Sequence, residues 1–341
     1  IEIEKANIYF KLDDVLDFRN HLYYKINKPI YIKKSNFFLM DKNDKTILIS
    51  PIKKINYLIN EKSNSKELKI KGNIFDINYN SIWKRSYNKP NNSFTEIKLK
   101  NPNLFIKNFF SYKNKFDFSG KTLINFLNEE IIINYEIKNK KIFVNSPNES
   151  KNQKIKLNSK IELDPFYIDA IIDISNKDTS FLIDNLFYII LNSKEYLGNI
   201  NGNLTLDLSN LKNSIINNGK ILFLIKEKTV QLESSLFEIK GIGKLKSDFR
   251  YYESKGDIVF TSENIFEITN KKEFARKFQI SSKKINNINK IFFDLEKNID
   301  NGEISISNVY FNEIDTEKFS EEYYIVKNFQ VLKGLLRKLF L

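Results

Sequence analysis

The residues with chemical potential are few and badly placed for catalysis. The single histidine, His21, sits among Leu22, Tyr23 and Tyr24. Histidine is the commonest proton shuttle and metal ligand near neutral pH, but here no second histidine or cysteine accompanies it, so a metal site would have to be built from carboxylates. A packed or solvent-facing side chain fits His21 better. The carboxylates Asp13-Asp14 and Glu129-Glu130 are adjacent pairs. Neighbours do not share a face in a helix or a strand, so neither pair is a local two-carboxylate acid–base site. Gly241-Ile242-Gly243 lacks the third glycine and the opening helix of a dinucleotide fingerprint, and reads better as strand. The absence of cysteine excludes disulfides, thiolate metal sites and thiol nucleophiles. The expectation is a chain that is not an enzyme and takes no metal or cofactor.

Composition bounds the elements that remain. At 341 residues and 41% hydrophobic the chain can bury a core. The net charge of +13 suggests polyanion binding, yet only Arg19, Arg85, Arg250, Arg276 and Arg337 among the 55 basic residues are arginine. Lysine, asparagine and isoleucine are inflated together, as codon drift towards AT produces, and 42 acidic residues oppose the lysines. Nucleic acid is therefore not an expected partner. The chain starts at Ile1 and its one methionine is Met40, so a processed protein or a fragment is expected. No apolar run approaches the ~18 residues of a membrane span, which leaves any signal or anchor to a segment preceding Ile1.

The dominant pattern is alternation at period two. Ile200, Leu204, Leu206 and Leu208 are separated by polar residues, and Phe237, Ile239, Gly241, Gly243 and Leu245 again keep one parity. Half-buried antiparallel strands are expected, with a turn at Asn218-Gly219. Tyr31 to Met40 and Thr46 to Ile49 read as a hairpin across Asp41–Lys45. A second hairpin is predicted from Leu68–Ile70 to Ile74–Tyr79 around Lys71-Gly72-Asn73, with Trp83 wedged in the apolar layer. Residues 86–96 and 145–154 read as loops. Ile161 and Leu163 are odd whereas Ile168, Ala170 and Ile172 are even, so Asp164-Pro165 marks a kink or a strand boundary.

Helices are scarce. A short turn is predicted from Leu12 to Arg19, and Asp178-Thr179-Ser180 can cap a helix carrying Leu182, Ile183, Leu186, Ile189 and Ile190. Asn270 caps a predicted helix from Lys271 to about Gln279, with Glu273 at the third position and Phe274 and Phe278 four apart. From Asp315 onward, Ile325, Phe329, Leu332, Leu336 and Leu339 mark one face of an amphipathic helix with lysines and Arg337 around the rest. Its apolar stripe can pack on the sheet, dock a partner, or lie on anionic lipid.

The run from Leu68 through Ile77, followed by Trp83, Lys100-Asn-Pro-Asn-Leu-Phe-Ile106 and Ile161-Glu-Leu-Asp-Pro-Phe-Tyr-Ile168, resembles the periplasmic part of the AsmA family. The glycine-punctuated strands from Leu197 to Tyr310 are similar to that family's C-terminal region. The resemblance implies a long, curved antiparallel sheet forming an open hydrophobic groove, similar to bridge-like lipid-transfer proteins. It further implies a periplasmic protein attached to the inner membrane, which moves phospholipid towards the outer membrane in outer-membrane biogenesis, with inner- and outer-membrane proteins as partners. The chain departs from the family in lacking the N-terminal membrane helix.

Physics makes the groove reasonable by itself. Keeping an acyl chain of about 16 carbons from water is worth on the order of 12 kcal/mol, and a long aliphatic sheet face must be covered by helices, a second sheet or ligand. The expected fold is mainly β over residues 1–312, with a sub-boundary near 145–154 and a C-terminal amphipathic helix over 313–341. Ile161, Leu163, Ile168, Ile172, Leu204, Leu206 and Leu208 are the groove candidates. Alternation decides which of them share a face and leaves open which face is inside. The alternative is that they form a closed β-sandwich core in a scaffold that binds a protein or polyanion partner.

Overall fold

The computed structural model describes residues 1–11, 28–41, 43–62, 64–74, 77–86, 88, 92–100, 103–112, 118–126, 129–147, 153–163, 165–175, 201–212, 216–226, 229–254, 257–299, 301–312, 324–326 and 329–339. It is mainly β. In chain order come β1 (Glu2–Glu4), β2 (Asn7–Lys11), β3 (Ile30–Met40), β4 (Thr46–Asn60), β5 (Ser65–Ile74), β6 (Ile77–Ser86), β7 (Asn92–Leu99) and β8 (Leu104–Tyr112). Next are β9 (Phe118–Phe126), β10 (Glu129–Lys138), β11 (Lys141–Asn145), β12 (Ile155–Leu163), β13 (Phe166–Ser175), β14 (Asn201–Ser209), β15 (Ile216–Lys226), β16 (Thr229–Leu232) and β17 (Ser235–Ile239). The chain ends with β18 (Gly243–Ser254), β19 (Asp257–Ile268), α1 (Lys271–Phe278), α2 (Ser282–Ile285), β20 (Lys290–Asn298), β21 (Ile304–Phe311), β22 (Tyr324–Ile325) and α3 (Phe329–Leu339).

The chain divides into two compact units. The first comprises residues 1–173, 185–204 and 224–230, and the second 174–184, 205–223 and 231–341. Residues 145–154 fall within the first unit and α3 within the second.

In the first unit, β3 to β12 form an antiparallel meander in which each strand pairs with the next. The N-terminal edge departs from the expected antiparallel order, because β1 and β2 both pair with β3 in parallel. A parallel pair needs a crossover of a dozen or more residues, and the chain between Lys11 and Ile30 is long enough to supply it. The first hairpin turns as its residue types demand, since the Asp41 carboxylate accepts from the backbone N–H of Asn43 at 2.8 Å and of Lys45 at 2.9 Å. The second hairpin turns later than expected. Gly72 lies inside β5 opposite Tyr79, and the reversal falls between Ile74 and Ile77. At Asp164-Pro165 there are two successive strands, β12 and β13.

In the second unit, β15, β17, β18, β19, β20, β21 and β22 pair antiparallel in turn. Phe237, Leu245, Phe266, Ile291 and Phe311 oppose one another rung by rung across five strands. The expected turn at Asn218-Gly219 is absent, and both residues lie within β15. Gly219 is required there by close approach, because a Cβ would sit 2.3 Å from the Phe237 ring. The expected single strand through Gly241 is broken by a turn between β17 and β18.

Helix α1 starts as its residue types dictate. Asn270 is extended, and its side-chain oxygen accepts from the Glu273 N–H at 3.1 Å. Phe274 and Phe278 meet one turn apart, with ring centroids 4.7 Å apart, and both are buried. The C-terminal helix is shorter than expected. Ile325 belongs to β22 and is exposed, and α3 begins only at Phe329. Leu335 joins Phe274 and Phe278 in the core of the second unit, with Leu332 and Leu336 packed against it. The predicted helices at 12–19 and 178–190 lie outside the described residues.

Candidate functional site

Residues opposed in register lie on the same face of a sheet, which makes the faces of the first unit readable rung by rung. Ile55, Ile70, Ile97, Ile106, Ile124 and Ile131 form one continuous rung from β4 to β10, with Ser81 of β6 as its single polar member. At a strand spacing of about 4.8 Å the rung is roughly 29 Å long. Ile55 and Ile131 are buried, while Ile70, Ile97, Ile106 and Ile124 are half-buried. Among the described residues of the first unit there is no helix to lie over them.

The neighbouring rung runs through Tyr57, Leu68, Trp83, Thr95, Asn108 and Thr122 to Ile133. Trp83 is buried in the apolar layer as its sequence position suggests. The polar centre of this rung is internally satisfied in part, since the Thr122 hydroxyl donates to the Asn108 side-chain oxygen at 3.1 Å. The opposite face has another character. Lys69, Ile82, Glu96 and Lys107 form one of its rungs. Glu67 there is paired with Lys69 at 3.3 Å and Lys84 at 3.2 Å. A depression of about 750 Å³ is lined by Glu67, Lys84, Phe94, Phe109 and Lys121 among others. Its ion pair makes it a poor host for a hydrocarbon, because displacing water from charge is costly.

Two groove candidates belong to the isoleucine face. Ile161 of β12 opposes Ile142, which opposes Ile137, two residues from Tyr135 on the same parity as Ile131. Leu163 shares the parity of Ile161, and both are half-buried. Ile168 and Ile172 occupy the even face of β13 with Ala170 and Ile174, and are half-buried. Leu204 is half-buried in the first unit, whereas Leu206 and Leu208 belong to the second and are 0% and 3% exposed. The last two are buried core residues.

Two structural features escape sequence pattern. Lys66 and Arg85 oppose each other on the apolar face and are both buried. Burial, reinforced by the Arg85 charge, holds the Lys66 ammonium below the usual lysine pKa. No periodicity rule flags them, since each reads as an ordinary charged residue in a strand. The second feature is a cavity in the second unit, described below.

The carboxylate candidates separate as expected. Glu129 pairs with Lys154 at 3.1 Å, and Glu130 is exposed on the other face of β10. His21, Asp13 and Asp14 lie outside the described residues. Among the described residues no cluster of histidine and acidic side chains could hold a metal ion, and no helix is long and apolar enough to cross a membrane. No known protein family and no curated protein matches the chain.

Proposed function

We propose that the chain is a non-enzymatic lipid carrier that shelters phospholipid acyl chains on the isoleucine face of its first unit, in the manner of the AsmA family. In this reading it works in the periplasm, between inner and outer membrane and with proteins of both as partners. The observation that carries the reading is the rung from Ile55 to Ile131, half-buried over most of its length with no helix over it among the described residues. A face of that extent favours contact with hydrocarbon, at about 25 cal/mol for each Å² withdrawn from water. The charged opposite face supplies the solvated side.

The test is mass spectrometry of organic extracts from protein purified without detergent. Phospholipid near one or more molecules per chain is the expected result. Lipid-free, monodisperse protein would overturn the reading and favour the closed-core scaffold, for which the burial of Leu206 and Leu208 in the second unit is the supporting observation.

A further inference from the structure

The core of the second unit is not fully packed. A cavity of about 110 Å³ lies between the sheet, α1 and α3, and every side chain that lines it is apolar. Phe274 and Ile291 on its wall are buried, whereas Leu245, Phe293, Leu332 and Leu336 are half-buried. The lining residues that keep partial exposure belong to β18, β20 and α3, and the way in is assigned to their side of the cavity. An all-apolar cavity of about 150 Å³ is known to stay dry and to accept benzene. By proportion this one suits about four carbon atoms.

The approach to it is also apolar. Phe249 and Leu295 continue the parity of Leu245 and Phe293 along β18 and β20 and are half-buried. The polar rung between them is closed on itself. The Ser247 hydroxyl donates to the Asn264 side-chain oxygen at 2.7 Å, and the Asn264 amide donates to the carbonyls of Ser262 at 2.8 Å and Phe293 at 3.2 Å. Its hydrogen bonds are thus not offered to water that a ligand would have to displace.

The wall formed by α3 is the weakest. A helix of 11 residues is marginal by itself, and Gly334 near its middle costs about 1 kcal/mol relative to alanine. Leu332, Leu335 and Leu336 are its contributions to the cavity lining. We propose that this cavity is a binding site for the methyl end of a hydrocarbon chain, entered beside Leu245 and Phe293, with α3 as its displaceable wall. The identity of the natural ligand rests on the acyl-chain reading above, whereas the capacity of the cavity for hydrocarbon does not.

The test uses the full chain with ¹³C-labelled Ile, Leu and Val methyl groups. Saturating n-butane should give intermolecular NOEs to the methyls of Leu332, Leu335 and Val309, and palmitate labelled at its terminal methyl should give NOEs to the same groups. Val309→Phe should fill the cavity and abolish both, and Leu335→Ala, which enlarges it, should admit benzene as well. Absence of butane contacts in the native chain, or unchanged binding in folded Val309→Phe, would overturn the site. Butane contacts without palmitate contacts, in protein that co-purifies with lipid, would overturn the chain-end assignment alone. Butane contacts in protein that carries no lipid would leave the cavity standing and remove the acyl-chain reading.

Discussion

Lys66 and Arg85 are register partners across β5 and β6, 1% and 2% exposed, on the face that also carries Ile70 and Trp83. Two cations opposed in this way make the charged state of Lys66 costly in the folded chain, and its pKa is depressed by burial and by Arg85. The unfolded chain holds that proton more tightly, so stability should rise as pH climbs from the depressed pKa towards the unfolded value. Urea unfolding as pH is raised towards about 10 should show a steeper rise in the native chain than in Lys66→Met, where the rise that remains belongs to Lys277, whose pKa burial also lowers. An equally steep rise in the variant would assign the whole effect to another group.

Glu67 titrates in the opposite sense. Burial would lift its pKa, but the hydrogen bonds from Lys84 and Lys69 outweigh burial and hold it below the usual value. The stability it contributes is present above its unfolded pKa and is lost as pH falls through the folded one. Glu67→Gln should cost about 1–3 kcal/mol at neutral pH and flatten the acid limb of the stability curve below about pH 4.

Ile106 and Leu206 both sit in alternating strands and should respond differently to a carboxylate. Ile106 is half-buried on the isoleucine face, so Ile106→Asp should reduce lipid retained through detergent-free purification while the chain still folds. Leu206 is 0% exposed. Leu206→Asp buries a charge without designed partners and should cost several kcal/mol, about as much as the large core deletions or more. Circular dichroism and lipid extraction on the two variants separate these effects.

Asn270→Ala removes the acceptor of the Glu273 N–H and should destabilise the second unit by about 1 kcal/mol, with Asn270→Asp restoring most of the loss. Denaturant midpoints measured at constant slope would reveal it.

Gly219→Ala places a methyl 2.3 Å from the Phe237 ring, an overpacking expected to cost about 1–3 kcal/mol. Phe237→Leu in the same chain should relieve part of that cost. A double-mutant cycle with no coupling would show that the ring does not need the glycine.

Residue types alone determined much of the local structure. The Asp41 carboxylate closes its turn, Asn270 caps α1, Phe274 packs against Phe278, and Asn301-Gly302 reverses the chain between β20 and β21 with Gly302 at φ 74. These interactions span a few residues, so their geometry is set by neighbours in the chain. Alternation likewise identified which residues share a face on most strands, because strand side chains repeat every two residues.

Tertiary structure decided everything that depends on a distant partner. Ile161 and Leu206 belong to equivalent alternating patterns, yet one is half-buried and the other 0% exposed, because period two specifies a face and not what covers it. Gly219 read as a turn and is a strand residue, since the reason for glycine is a phenylalanine 18 positions away that opposes it in register. Ile325 continued a helical stripe in the chain, but Ser305 pairs with it and draws it into β22. The parallel pairing of β1 and β2, the meeting of Lys66 with Arg85, and the apolar cavity under α3 arise from long-range register and packing, which the local spacing of residues does not encode.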